Sequence, residues 1–209
     1  MEKIDFKKQY KSLYTASAKK ISDIIVPALK YLEIEGSGIP DVSPEFQLAI
    51  ETLYTITYSA KFGLKYDQFT HPKGYSDFSV APLESKWWTD SGEFSHDHPE
   101  EWHWRMMIAI PDFFDATLLK AVISAAKLKK EKLPYHLIKI KTDKGGKAIQ
   151  LMHFGPYDTV GSSIERLVEF MEAEGTKQVG LHHEIYLNNP CRTAPEKIKT
   201  IVRFYYKPI

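Results

Sequence analysis

Apolar and polar positions alternate along Leu29-Lys-Tyr-Leu-Glu-Ile-Glu35, which runs into Gly36-Ser-Gly38; this predicts a strand and a turn. The period then changes. Ser43-Pro44-Glu45 reads as a helix start, and Phe46, Ile50, Leu53, Thr57 and Ala60 recur at helical spacing as far as Gly63. Tyr75 to Trp88 reads as a long strand interrupted at Pro82, Thr89 to Glu101 as a loop, and Trp102 to Pro111 as another strand. Asp112 is placed to cap a linker helix to about Lys130, and Tyr135 to Lys141 alternates as a strand. The first pattern then returns. Lys147–Phe154 is strand-like, and Asp158 precedes a helical stripe of Val160, Ile164, Leu167, Val168 and Met171 ending at Gly175. Gly180–Pro190 and Lys199–Tyr206 close the chain as strands.

The resulting expectation is an α+β fold of two pseudo-symmetric strand-helix-strand-strand modules. An antiparallel sheet carries helices on one side and a ligand cleft on the other. Residues 1–24 form an N-terminal arm, 25–111 module one, 112–130 the linker helix and 133–209 module two. The halves share the pattern and not the sequence.

One strand organises the candidate chemistry. In Gly180-Leu-His-His-Glu-Ile-Tyr-Leu-Asn-Asn-Pro190, alternation puts His182, Glu184, Tyr186 and Asn188 on one face. His183, Ile185 and Leu187 take the other, more apolar face, which is the one expected to meet helices. A partly desolvated carboxylate beside aromatic groups attracts cationic ligands or transfers protons, whereas a solvated glutamate on an open strand does neither. Glu84 occupies the same type of strand in module one and is a candidate second carboxylate across the cleft. Aromatic residues make up 13% of the chain, enough to furnish a pocket as well as a core. Trp88, Trp102, Trp104 and Tyr135 are candidates for stacking on a flat ligand, with core packing as the alternative for each. Tyr54, four residues from Tyr58 on a helical stripe, is a ligand contact or a core-edge tyrosine, and His182 shares the Glu184 face.

Charge excludes more than it proposes. A net charge of +1 gives no global field for nucleic acid, and the lysines of the arm read as a solvated surface. His182 and His183 are adjacent on a strand, point opposite ways and cannot chelate together. There is no HExxH motif, and His96-Asp-His98 with His103 reads as a loop, so no metal or cofactor is expected. Cys191 is a single plain thiol that excludes an internal disulfide. With no apolar run of signal or membrane-spanning length, the expected location is the cytoplasm, with no membrane partner.

Two motifs together resemble the GyrI-like small-molecule-binding domain: His153-Phe-Gly-Pro-Tyr157 before a helix, then His182-His-Glu-Ile-Tyr-Leu187 before a last strand. Tyr31-Leu-Glu-Ile-Glu-Gly36, Pro82-Leu-Glu84, Trp87-Trp88, Trp102-His-Trp104 and Ile110-Pro-Asp112 extend the resemblance over about residues 25–209, to the standalone branch of that family. Lys144-Gly145 departs from it, because an acidic residue is expected before that glycine. The resemblance implies a concave aromatic pocket with a buried glutamate at its base, which maps onto Glu184. It implies binding of planar hydrophobic or cationic small molecules, and in some standalone members hydrolysis of the cyclopropane ring of DNA-alkylating compounds. Glu184 and Tyr186 are then the candidate catalytic pair. The alternatives within the resemblance are a non-catalytic module that sequesters drugs and a protein that inhibits DNA gyrase by contact.

Overall fold

The longest helix forms where the sequence changes period. Pro44 fixes the first turn, Glu45 suits its positive end, and Phe46, Ala49, Leu53, Ile56, Ala60 and Leu64 make one buried stripe. In the computed structural model, which describes residues 3–40, 42–91 and 98–209, this helix is α2, Pro44–Lys65. It runs through Gly63, where a side chain would meet the ring of Phe69 at 2.1 Å, so that glycine makes room for packing and does not end the helix. The other elements are α1 (Phe6–Gln9), β1 (Ser22–Val26), β2 (Leu29–Ser37), β3 (Leu83–Trp88), β4 (His103–Ala109), α3 (Ala116–Lys127), β5 (Lys139–Asp143), β6 (Gly146–Phe154), α4 (Gly161–Ala173), β7 (Thr176–Tyr186) and β8 (Lys199–Pro208), with short 3-10 turns between them.

Among the described residues, eight strands join one antiparallel sheet in the order β1-β6-β8-β7-β3-β4-β2-β5. The α+β class and the repeated strand-helix-strand-strand order are therefore present: β2-α2-β3-β4, then β6-α4-β7-β8. The modules meet at β3 and β7, where Leu83 pairs with Tyr186 and Trp87 with His182. Each module also receives the strand that precedes the other. β1 pairs with β6, and β5 pairs with β2. Because only Pro27 and Ala28 separate β1 from β2, the sheet curls until its ends approach. The two crossovers then touch, so that a side chain on Gly145 (φ +67°) would fall 2.1 Å from the Val26 carbonyl oxygen.

Several boundaries move for local reasons. Asp115, not Asp112, caps α3, its Oδ1 accepting from Leu118 N–H at 2.8 Å. Pro134 starts a 3-10 turn over Tyr135–Leu137, so the strand begins only at Lys139. Asp158 lies in another 3-10 turn ahead of α4, and the stretch before Leu83 is irregular. The arm is more than a lead-in: it contributes β1, buries Phe6, Leu13 and Tyr14, and lies across one face of the sheet.

The helices take the other face. Phe46 of α2 packs on Trp87 and edge-on to Trp104. Leu167 and Met171 of α4 form a cluster with Ile149, Leu151, Val202 and Phe204. The register sets Val202 opposite Glu184, so the helices share the Glu184 face and not the His183 face. This reverses the sequence expectation for that strand. Both faces are buried along β7 and β8, and apolarity alone does not distinguish them.

Gly36 on β2 shows how tightly α2 is seated. A Cβ there would sit 2.3 Å from the ring of Trp104, which is 1% exposed and wedged against Phe46. Gly36→Ala should lower the urea midpoint with an unchanged slope, by about 1–3 kcal/mol of stability, the usual cost of overpacking a core.

Candidate functional site

Helix α2 covers β2 and β4, while α4 covers β6, β7 and β8. A strip along β3 and β7 lies between them, and its upward side chains are Ser85, Trp87, His182, Glu184 and Tyr186. Glu184 is 7% exposed, yet both carboxylate oxygens have donors. His182 Nε2 lies 2.9 Å from Oε1, and the Tyr186 hydroxyl donates to Oε2 at 2.8 Å. Ser85 Oγ is 2.7 Å from the same tyrosine oxygen, and Trp87 Nε1–H donates to Ser85 Oγ at 2.6 Å. Burial, then the Glu184 charge, pushes the Tyr186 pKa well up, so this group stays a phenol.

Tyr157, in the turn before α4, stands edge-on to Tyr186 with ring centroids 5.4 Å apart. Its pKa is pushed up to about 12 by burial first and then by the charges of Glu184, Cys191 and Tyr54. On α2, Tyr54 heads an aromatic ladder with Tyr58, Phe62 and Tyr66. Trp102 packs at 5.8 Å against Trp87. The strip thus gathers Glu184, Tyr186, His182 and Trp102 of the sequence candidates, while Tyr54 lines a cavity between α2 and α3.

The rest go elsewhere. Trp104 is buried beneath α2, and Tyr135 is buried with its hydroxyl donated to the Lys130 carbonyl at 2.9 Å. Trp88 faces the opposite side of the sheet, stacked on His103 and approached by the Arg105 guanidinium. Glu84 also faces away, because the register pairs Ser85, and not Glu84, with Glu184. It is therefore no second carboxylate across from Glu184. Ser85, Trp87 and Tyr157 were not assigned to the site from sequence. The available signal was the Tyr157 that ends the His-Phe-Gly-Pro-Tyr motif.

On that opposite face Glu84 is 1% exposed and collects donors. Tyr14 donates to Oε1 at 3.0 Å, and Tyr31 to Oε2 at 3.3 Å, with His183 Nε2 at 2.9 Å. Burial raises its pKa, but the hydrogen bond and charge of His183, then Arg203 and Tyr14, outweigh this and hold it below the usual range. Burial lowers His183 to about 4 against the pull of Glu84. Near neutral pH the pair is a carboxylate receiving an N–H from a neutral imidazole. A shallow cavity of ≈ 480 Å³ adjoins it, lined by charged groups such as Glu33, Lys86, Arg105 and Lys141. Another of ≈ 470 Å³ lies between α2 and α3 and includes Tyr54.

This pair gives a pH dependence with a definite sign. The unfolded chain protonates His183 near pH 6.5, and the folded chain only near pH 4. Across that window the unfolded state binds more protons, so stability falls as pH drops, by up to about 3 kcal/mol. The Glu84 contribution, present above the unfolded carboxylate pKa, is lost at still lower pH as the folded value is passed. His183→Gln should flatten the fall in Tm between pH 7 and 4.5; an undiminished slope would assign the effect to other groups.

Among the described residues one set has the spacing of metal ligands, His98, Glu100 and Glu101, all exposed; His96 and Asp97 lie outside the described residues. No helix among the described residues is long and apolar enough to cross a membrane.

Comparison with known proteins accounts for this arrangement. Residues 114–206 match the GyrI-like small molecule binding domain. A crystal structure of a conserved protein from Listeria innocua is 36% identical over 98% of this chain and 100% of its own, with a TM-score of 0.89. A Listeria innocua protein described as a hydrolase is 35% identical over 99% of this chain and 100% of its own, with a TM-score of 0.88. The EcmrR C-terminal domain shares the fold at 13% identity, covering 91% of this chain and 98% of its own, with a TM-score of 0.59. No curated protein gives a significant match. With its tandem modules, its Glu184 strand and relatives of this identity over nearly its full length, the chain belongs to the GyrI-like small-molecule-binding domain family.

Proposed function

We propose that this protein is a cytoplasmic detoxifying hydrolase that binds planar, hydrophobic or cationic compounds and opens the cyclopropane ring of DNA-alkylating ones. The observation that carries the reading is the Glu184 carboxylate, nearly buried between two helices among aromatic rings and held by His182 and Tyr186. An ionised carboxylate is an acceptor with several lone-pair sites, the chemistry needed to take a proton from water. The hydrolase description of Listeria innocua relatives with 35% identity is consistent with turnover.

A cyclopropane conjugated to a dienone is strained and electrophilic. Water attacks a ring CH2, forming a C–O bond as the ring C–C bond breaks. That electron pair passes through the dienone to its oxygen, which becomes a phenolate. Glu184 takes the proton released by water. Tyr157, kept protonated by burial and by Glu184, supplies a donor at the cleft edge for the developing phenolate. Return of that proton from Glu184 to the phenolate oxygen, through solvent, gives the phenol and restores the carboxylate. Tyr54 and Trp102 provide apolar walls for the flat ligand.

The test is incubation of purified protein with a cyclopropanoid alkylator and mass spectrometry of the ring-opened phenol, beside Glu184→Gln. Many equivalents of phenol per protein are expected. At most one equivalent, with tight binding that Glu184→Gln weakens for cations, would replace hydrolysis by sequestration.

A further inference from the structure

We infer that Trp87 and Ser85 are positioning residues for Glu184: they fix the direction of the hydrogen bond that Tyr186 makes to it. This rests on the reading of Glu184 as the working carboxylate of the strip. The argument follows from what each group is able to donate. An indole N–H donates and never accepts. At 2.6 Å from Trp87 Nε1, Ser85 Oγ therefore accepts, and its single proton remains for another partner. An ionised Glu184 only accepts, so the proton in the 2.8 Å contact to Oε2 belongs to Tyr186. The Tyr186 oxygen has then spent its proton, and the 2.7 Å contact from Ser85 is a donation to it. Every bond in the row points the same way, from Trp87 through Ser85 and Tyr186 to Glu184.

The reverse row has no terminus. Were Glu184 protonated and donating, Tyr186 would turn its proton to Ser85. Ser85 would then receive from both Trp87 and Tyr186 and have to find a new acceptor while fully buried. The tryptophan thus acts as a lock at the far end. It favours the state in which Glu184 is an anion receiving a hydrogen bond, the state that a proton acceptor or a cation site requires. Trp87 itself is held in place by Phe46 from α2 and by Trp102.

Other groups face Glu184 and set the background against which the lock works. His182 Nε2 lies at the other carboxylate oxygen, and Tyr157 looks in from the turn before α4. Tyr54 of α2 and Cys191 act on Tyr157 through their charge, and β8 presents Val202, which carries no charge. None of these replaces the Ser85 donation to Tyr186.

The experiment follows the side-chain carboxyl carbon of Glu184 by NMR through a pH titration, with no ligand present. Trp87→Phe and Ser85→Ala should each move the midpoint upward by about half to one pH unit, the effect of losing one hydrogen bond from a cooperative row. Ser85→Ala combined with Tyr186→Phe should match Tyr186→Phe alone, since both act through one oxygen. Ser85→Thr, which restores the hydroxyl, should restore the midpoint. In the cyclopropanoid assay the acid limb of kcat/KM should move by the same amount with KM unchanged. Midpoints that stay put in Trp87→Phe and Ser85→Ala, or shifts that add in the double variant, would overturn the inference. Shifts seen without any turnover would uphold it and remove hydrolysis alone.

Discussion

Glu84→Ala should cost about 3–5 kcal/mol of folding stability, because three buried donors lose their shared acceptor at about 1–3 kcal/mol each. Urea unfolding would measure it. Arg203 is 1% exposed and lies close enough to favour the ionised form of Glu84. Without that carboxylate the buried Arg203 guanidinium keeps neutral acceptors, among them Gln150 Oε1 and the Leu13 carbonyl. Tyr14, Tyr31 and His183 each lose an acceptor in the same step. The loss is also directional in the fold. Tyr14 belongs to the arm, and Gln150 donates to the Ser12 and Thr15 carbonyls at 2.7 and 3.2 Å, so one buried polar network fastens the arm to β3, β6 and β8. Glu84→Ala should accordingly expose the arm to proteolysis under conditions where the sheet remains folded. Paired with Tyr14→Phe, it should show a coupling of about 1 kcal/mol or more in a double-mutant cycle. A loss below about 1 kcal/mol would mean that Tyr14, Tyr31 and His183 find other acceptors once the carboxylate is gone.

The same residue marks where sequence reasoning stops. Glu84 and Glu184 stand on equivalent strands of the two modules, and that equivalence suggested that they face each other. On neighbouring antiparallel strands the face depends on register, and a shift of one residue reverses it. Here Glu184 pairs with Ser85. Alternation within one strand was dependable: His182, Glu184 and Tyr186 share a face even though the β7–β8 register shifts between Val179 and His183, because the irregularity lies upstream. The helical stripes and the repeated element order were legible because helix and strand impose different periods. Strand β1 was not, since five residues ending at Val26 carry too little pattern. Ser85 leaves no trace in a sequence, since a serine becomes informative only when its partners are known. Trp87 and Trp88 look alike in sequence, and only the pleat sends one toward Glu184 and the other to Arg105.

Glu184→Gln should reduce kcat for cyclopropane opening by about 10²–10⁴-fold while leaving the fold intact. Glutamine has the same size and shape. Its carbonyl still accepts from Tyr186, and its amide donates to His182 once that ring presents Nε2 as an acceptor, so packing around the 7% exposed side chain persists. What disappears is the negative charge and the basic lone pairs. Without them, attack on the ring proceeds only as fast as water and Tyr157 allow, because the ring strain is the substrate's own. Binding should respond according to ligand charge. Neutral planar compounds, held by rings such as Tyr54 and Trp102, should keep their affinity, whereas cations should lose the attraction of a carboxylate in a low-dielectric strip. Equal kcat in wild type and Glu184→Gln would remove Glu184 from the chemistry and leave it a charge that selects ligands. A fall in kcat with unchanged binding of neutral ligands and unchanged unfolding would assign it the proton, because no structural role of a single side chain produces that combination.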